Sequence, residues 1–259
     1  MTNPNQTNQP SPQGRPRPTR RRSDAGQVRL TLRDLETLRW IAEQYVIAGS
    51  ALPLLLRVAP GGARKWVQRM RRVGLLRSAV INGVMWHWPS ARAMYDLDLA
   101  WPATRPKAVQ LPHLHAIGAV RLWHAASEPH LHWVAERVVR SRAQRIGDGF
   151  RPPDTELWDA SDSALVAAVE VELHPKALLL ARNVIADRLE RYPQVRYVCA
   201  DDVDGVVQRA CMDLAAARPD LAPLERVQVR RLADLIADLR AQARARSSAP
   251  GGPSPSGAR

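Results

Sequence analysis

Residues 63–73 constrain this chain more than any other segment, because they form a helix pattern with two faces of opposite character. At about 100° per residue, Ala63, Trp66, Val67, Met70 and Val73 fall on one side. Arg64, Lys65, Gln68, Arg69, Arg71 and Arg72 fall on the other. The apolar side needs something to pack on. The cationic side differs from an ordinary solvated face, which mixes signs because like charges repel. From Val46 to Tyr95 there are eight Arg or Lys residues and no acid. A surface of one sign points to phosphate as its counterpart.

The flanking residues supply the elements such a helix needs. Thr31 suits an N-cap, and Leu32, Leu35, Leu38, Ala42 and Tyr45 follow at spacings of three and four. Gly49 and Ser50 break that helix, and Ser50 is expected to cap a short second one over 51–56. Pro60, Gly61 and Gly62 read as the next break. Gly74 is the expected residue just past the end of the third helix. Residues 75–81 and 84–88 then read as two strands joined by Asn82-Gly83, the pair that a type I′ hairpin turn favours. Helix, helix, basic helix, hairpin is the order of a winged helix-turn-helix. Such a domain would put its third helix in the major groove of double-stranded DNA and its hairpin on the backbone or minor groove. Arg64, Lys65, Gln68, Arg69, Arg71, Arg72 and Asn82 are the expected contacts.

The net charge of +13, from 38 Lys and Arg against 25 Asp and Glu in 259 residues, agrees with a polyanionic partner. No apolar run approaches the length of a membrane span, and the N-terminus has no secretory apolar core. Cys199 and Cys211 have neither disulfide-framework nor zinc spacing, which fits a reducing cytoplasm. The expected organisation is a disordered basic tail over 1–26, a winged helix over 28–99, a connector over 100–112, a second domain over 113–246 and a disordered tail over 247–259. A homodimer is compatible with this layout.

The second block alternates helix and strand patterns, which predicts an α/β or α+β domain with a central mixed sheet. Residues 131–142 read as a helix carrying Glu136, and 165–173 read as a strand. Period-two geometry places Val169, Val171 and Leu173 on one strand face, with Glu170 and Glu172 on the other at about 7 Å spacing. Asp154, just before the short run Leu157-Trp158, can join them. Three carboxylates so placed are the kind of set that binds Mg²⁺ beside a phosphate and activates water. Two solvated glutamates and a turn-forming Asp explain the same spacing. The pairs His113/His115 and His130/His132 lack the context of a metal site.

Several segments in order resemble the replication-relaxation family, found on plasmids and other mobile elements of Gram-positive bacteria. They are LTLRDLETLRWIAEQYVIAGSALPLLL, ARKWVQRMRRVGLL, SAVINGVMWHW, HLHAIGAVRLW, WVAERVVR, PDTELW, VAAVEVELHPK and RYPQVRYVC, spread over about residues 28–240. The second block is also similar to the PD-(D/E)xK nuclease fold. That resemblance implies Glu136 as the helix acid, Asp154 as the acid of the PD pair and Glu170 as the strand acid. It puts Glu172 where a lysine is usual, and Lys176, beyond Pro175, would have to reach back to replace it. The resemblance implies a DNA-binding accessory protein of a mobile element, active in replication, relaxation or transfer, and the departure at Glu172 makes an inactive nuclease-like domain the expectation. A Mg²⁺-dependent endonuclease using Glu136, Asp154, Glu170, Glu172 and Lys176 is one alternative, and a winged-helix transcriptional repressor is another.

Overall fold

The computed structural model describes residues 29–146 and 151–248. The tails expected at 1–26 and 247–259 lie outside the described residues, except Ser247 and Ser248, which close the last helix. The described chain is α+β, with a three-stranded and a five-stranded sheet. No described helix is long and apolar enough to cross a membrane.

Helix α1 (Leu32–Glu43) begins with a capping box. The Thr31 hydroxyl accepts from the Asp34 N–H, and the Asp34 carboxylate accepts from the Thr31 N–H. A two-residue strand, β1 (Ile47–Ala48), leads to α2 (Leu52–Leu56) and α3 (Pro60–Arg72). Two local expectations change here. Ala51, not Ser50, holds the N-cap position of α2, and no side chain caps it. Pro60, Gly61 and Gly62 form the first turn of α3 instead of breaking it. A proline fits the first helical position because the N–H it lacks has no partner there anyway.

Gly74 ends α3 with φ of +76°, and two bonds close the turn: Gly74 N–H to the Arg71 carbonyl and Leu75 N–H to the Met70 carbonyl. Strands β2 (Leu76–Ile81) and β3 (Val84–Pro89) pair antiparallel from Leu76–Pro89 to Ile81–Val84. The two residues between them have positive φ, 51° at Asn82 and 75° at Gly83, as a type I′ turn requires. Strand order β1-β3-β2 leaves β2 at the sheet edge. This is a winged helix, completed by the short helix α4 (Ala91–Asp96).

Asp34 joins α1 to α3. Its buried carboxylate accepts from the Trp66 indole N–H at 2.8 Å, and Arg69 pairs with the same oxygen. Burial pushes the carboxyl pKa up, but the Thr31 and Trp66 hydrogen bonds and the Arg69 charge outweigh it and hold it below the usual range. Behind this joint Leu38, Ile41, Leu52, Ala63, Trp66 and Met70 form one core.

The second lobe starts at α5 (Leu111–Ser127), which packs on both sheets. Leu111 and Leu114 meet Val46, Trp86 and Trp88 of the winged lobe, while Ile117 and Val120 enter the core of the five-stranded sheet. That sheet runs β4 (Leu131–Ala135), β5 (Thr155–Asp159), β6 (Leu165–Glu172), β7 (Val195–Cys199), β8 (Val227–Arg231). The first three strands are antiparallel, and β6, β7 and β8 are parallel. Helix α6 (Glu136–Ile146) follows β4, α7 (Leu178–Arg191) joins β6 to β7, and α8 (Asp204–Ala217) with α9 (Pro223–Arg226) joins β7 to β8. The final helix is α10 (Leu232–Ser248).

The expected helix over 131–142 is corrected: Leu131–Ala135 is a strand, and the helix starts at Glu136. Pairing of Trp133 with Leu157 and Ala135 with Thr155 satisfies the 131–135 backbone, so tertiary context overrides the local helical pattern. On β6, Val169 and Val171 face α5 and α10 in one core, while α7 and α8 build another against Val195, Tyr197 and Cys199.

Two stability measurements follow. A Cβ at Gly83 meets no atom within 4 Å, so the strain of Gly83→Val comes from its positive φ. It should lower stability by about 1 kcal/mol or more, read by denaturant unfolding. Asp34→Ala removes the acceptor of the Thr31 N–H, the reciprocal half of the α1 capping box, and leaves the Trp66 N–H without its acceptor, so the same measurement should show a loss of about 2–4 kcal/mol. A loss below about 1 kcal/mol would mean that Asp34 does not join these helices.

Candidate nucleic-acid interface and carboxylate cluster

The exposed side of α3 is the first candidate site. Arg64, Lys65, Gln68, Arg71 and Arg72 are exposed, and Ala63, Trp66 and Met70 are buried beneath them. Among the described residues, the ion pair on this helix is Arg69 with Asp34. Arg69 differs from its neighbours in the expected contact set: its guanidinium pairs with Asp34, and its side chain is one-third exposed. Among the described residues, Arg64, Lys65, Arg71 and Arg72 show no ion pair, and the Val46–Tyr95 stretch itself contains no acid. Asn82 stands exposed at the wing tip with Gly83, and Val80, Val84 and Met85 are exposed on the wing.

Arg71 lies between two open grooves. One, of about 410 Å³, runs between α3 and the wing and includes Arg64, Val67, Gln68 and Met85. The other, of about 760 Å³, follows β2 and includes Arg77 and Arg105. His87 sits buried under the wing, with its Nδ1 2.8 Å from the Ser78 hydroxyl. Burial pushes its pKa down to about 4, and the Arg71 charge adds to the shift. The imidazole stays neutral near pH 7 and adds no charge to this face.

The second candidate site is the carboxylate set. Asp154, just before β5, accepts from the Val171 N–H at 2.8 Å and lies 3.1 Å from His113 Nε2. Its carbonyl accepts from the Glu136 N–H. Glu170 is buried against Arg188 of α7, with 2.5 Å from Nε to its carboxylate. Lys176 reaches back and pairs with Glu172, and Arg140 pairs with Glu136. The groups are near enough to act on one another. The Asp154 hydrogen bond holds His113 above the usual imidazole range against the effect of burial, and Asp154, Glu172 and Glu136 add their charges. Burial raises the Glu170 carboxyl, the Asp154 charge raises it further, and Arg188 opposes both.

This donor set does not suit Mg²⁺. Among the described residues, no three His, Cys, Asp or Glu side chains are grouped to hold a metal ion. Each expected ligand already faces an internal partner: Arg188 at Glu170, Lys176 at Glu172 and His113 at Asp154. A dication would have to displace these partners from the carboxylates it needs.

Sequence reasoning passed over three features. Asp34 was discoverable, because Thr31-x-x-Asp34 has capping-box spacing and precedes an apolar helix. His113 was weighed only as a pair with His115, and its partner Asp154, 41 positions away, had no signal. Arg105 had none either, because a connector has no period to place its side chains.

No family model matches the chain, and no curated protein matches it. Among solved structures, ZitR of Lactococcus lactis, a zinc-responsive MarR family member, is similar over 48% of this chain and 79% of its own. The identity is 13% and the TM-score 0.24. The winged-helix assignment stands on element order and strand register.

Proposed function

We propose that this chain binds double-stranded DNA through α3 and the β2–β3 wing, and that its second lobe is a scaffold without nuclease chemistry. One observation carries the binding half: Arg64, Lys65, Arg71 and Arg72 form an exposed cationic face with no acid among them, mounted on a helix whose opposite side is locked into the core. Holding several like charges together has a cost in self-repulsion that an anionic partner removes. The α3 face supplies the cations and Gln68, whose amide can donate to and accept from a base edge. The exposed Asn82 turn lies where a wing meets the backbone or the minor groove.

The scaffold half is supported by the pairing of Glu136, Glu170 and Glu172 with Arg140, Arg188 and Lys176. Those pairs replace, inside the protein, the cation that a hydrolytic site would recruit. The ordered resemblance to the replication-relaxation family supports a place for this binding on a plasmid or other mobile element, accessory to replication, relaxation or transfer.

The combined variant Lys65→Ala, Gln68→Ala, Arg72→Ala should weaken duplex binding while leaving the melting temperature nearly unchanged, since all three side chains are exposed. The log–log dependence of affinity on salt should flatten by about one unit for each cation that contacted phosphate. Binding as tight as the parent's at moderate salt would overturn the assignment of α3. Supercoiled plasmid incubated with the protein and Mg²⁺ or Mn²⁺ should stay supercoiled. Nicking that chelator abolishes, and that Asp154→Ala and Glu170→Ala remove, would instead make the second lobe an enzyme.

A further inference from the structure

We infer that the connector between the lobes is a third wall of the DNA interface, and that the second lobe holds this wall in place. The inference rests on the duplex-binding reading and extends it to residues outside the winged helix. Three guanidiniums from three different elements line one groove: Arg71 from α3, Arg77 from β2 and Arg105 from the connector. No acid lines it, and Arg77 and Arg105 are exposed and without an ion pair among the described residues. Its volume, about 760 Å³, exceeds that of the groove between α3 and the wing. Leu76, Ala79 and Trp88 contribute apolar atoms to the same lining. A cationic rim above apolar surface matches a sugar–phosphate strand, which alternates anionic phosphates with deoxyribose faces. Because Arg71 borders both grooves, a duplex seated on α3 can continue its backbone along β2 to Arg105.

The connector is tied to the second lobe immediately before Arg105. Arg137, buried on α6, donates to the Pro102 carbonyl at 2.8 Å and to the Ala42 carbonyl of α1 at 2.7 Å. Its guanidinium lies over the Tyr45 ring at 4.2 Å and the Trp101 ring at 5.2 Å. The Trp101 indole N–H donates to the Ser141 hydroxyl of α6 at 2.9 Å. One buried cation thus fixes α6, the end of α1 and the start of the connector together. Arg105 is assigned as a phosphate contact and Arg137 as its positioning residue.

Fluorescence anisotropy of the full chain on a labelled duplex, titrated across salt, tests this. Arg77→Ala and Arg105→Ala should each weaken binding and reduce the log–log salt slope by about one unit. Arg209→Ala, exposed on α8, should leave the slope unchanged. Arg137→Lys, checked for folding by thermal melt, should mimic Arg105→Ala. Its effect should largely vanish when Arg105 is already Ala, which a purely structural role would not produce. A parent whose binding is salt-sensitive but whose slope survives both Arg77→Ala and Arg105→Ala would overturn the inference and leave the α3 assignment standing. A parent that does not bind duplex DNA would overturn both.

Discussion

The geometry of the basic face depends on one buried carboxylate. Asp34 completes the α1 capping box by accepting from Thr31 and, with the same group, takes the Trp66 N–H and the Arg69 guanidinium of α3. An acid so deep in a core is costly unless its lone pairs are filled and its charge is answered. Here both conditions are met, and the partners are side chains on the inner half of α3. The rotation of α3 about its own axis is therefore set, and Arg64, Lys65, Gln68, Arg71 and Arg72 have nowhere to point but outward. Arg69 shows the logic from the other side. It shares a sequence pattern with its neighbours, yet its guanidinium is held on the carboxylate below and its side chain is only one-third exposed.

Two buried cations, Arg121 and Arg137, tie the lobes together. Arg121 of α5 pairs with Glu43 at 2.6 Å and lies over the Trp40 ring at 4.7 Å. Arg137 repeats the device at the end of α1 with carbonyls instead of a carboxylate. Removing one partner of such a buried contact strands the other away from water, which typically costs several kcal/mol. Apolar packing runs alongside, since Leu111 and Leu114 of α5 complete a cluster begun by Val46 and Trp86. The connector between the lobes inherits its position from both.

Much of the winged lobe was legible because its signals are local. The Asn82-Gly83 turn, the Gly74 stop and the two-faced α3 each need only neighbouring residues to be read. Errors arose where a distant partner decides the outcome. Leu131–Ala135 has a plausible helical stripe, but the β5 edge claims its backbone. Pro60-Gly61-Gly62 looks like a break until the proline is seen to occupy a position that needs no N–H. On β6 the alternation correctly separated Val169 and Val171 from Glu170 and Glu172, because strand period is a local property. Of the cations that occupy those glutamates, Lys176 was legible as a side chain able to reach back towards Glu172, and Arg188 was not. Arg188 lies on a helix 18 residues away, and no spacing rule connects it to Glu170.

Amide hydrogen exchange of the whole chain, with and without a duplex, tests the central claim most directly, because it reports contact on every described segment at once. The account predicts slowed exchange on DNA addition over 60–72, at the wing around 80–85 and in the connector near 103–107, with residues 154–176 unchanged. Slowing confined to 154–176, with α3 and the wing unaffected, would contradict it.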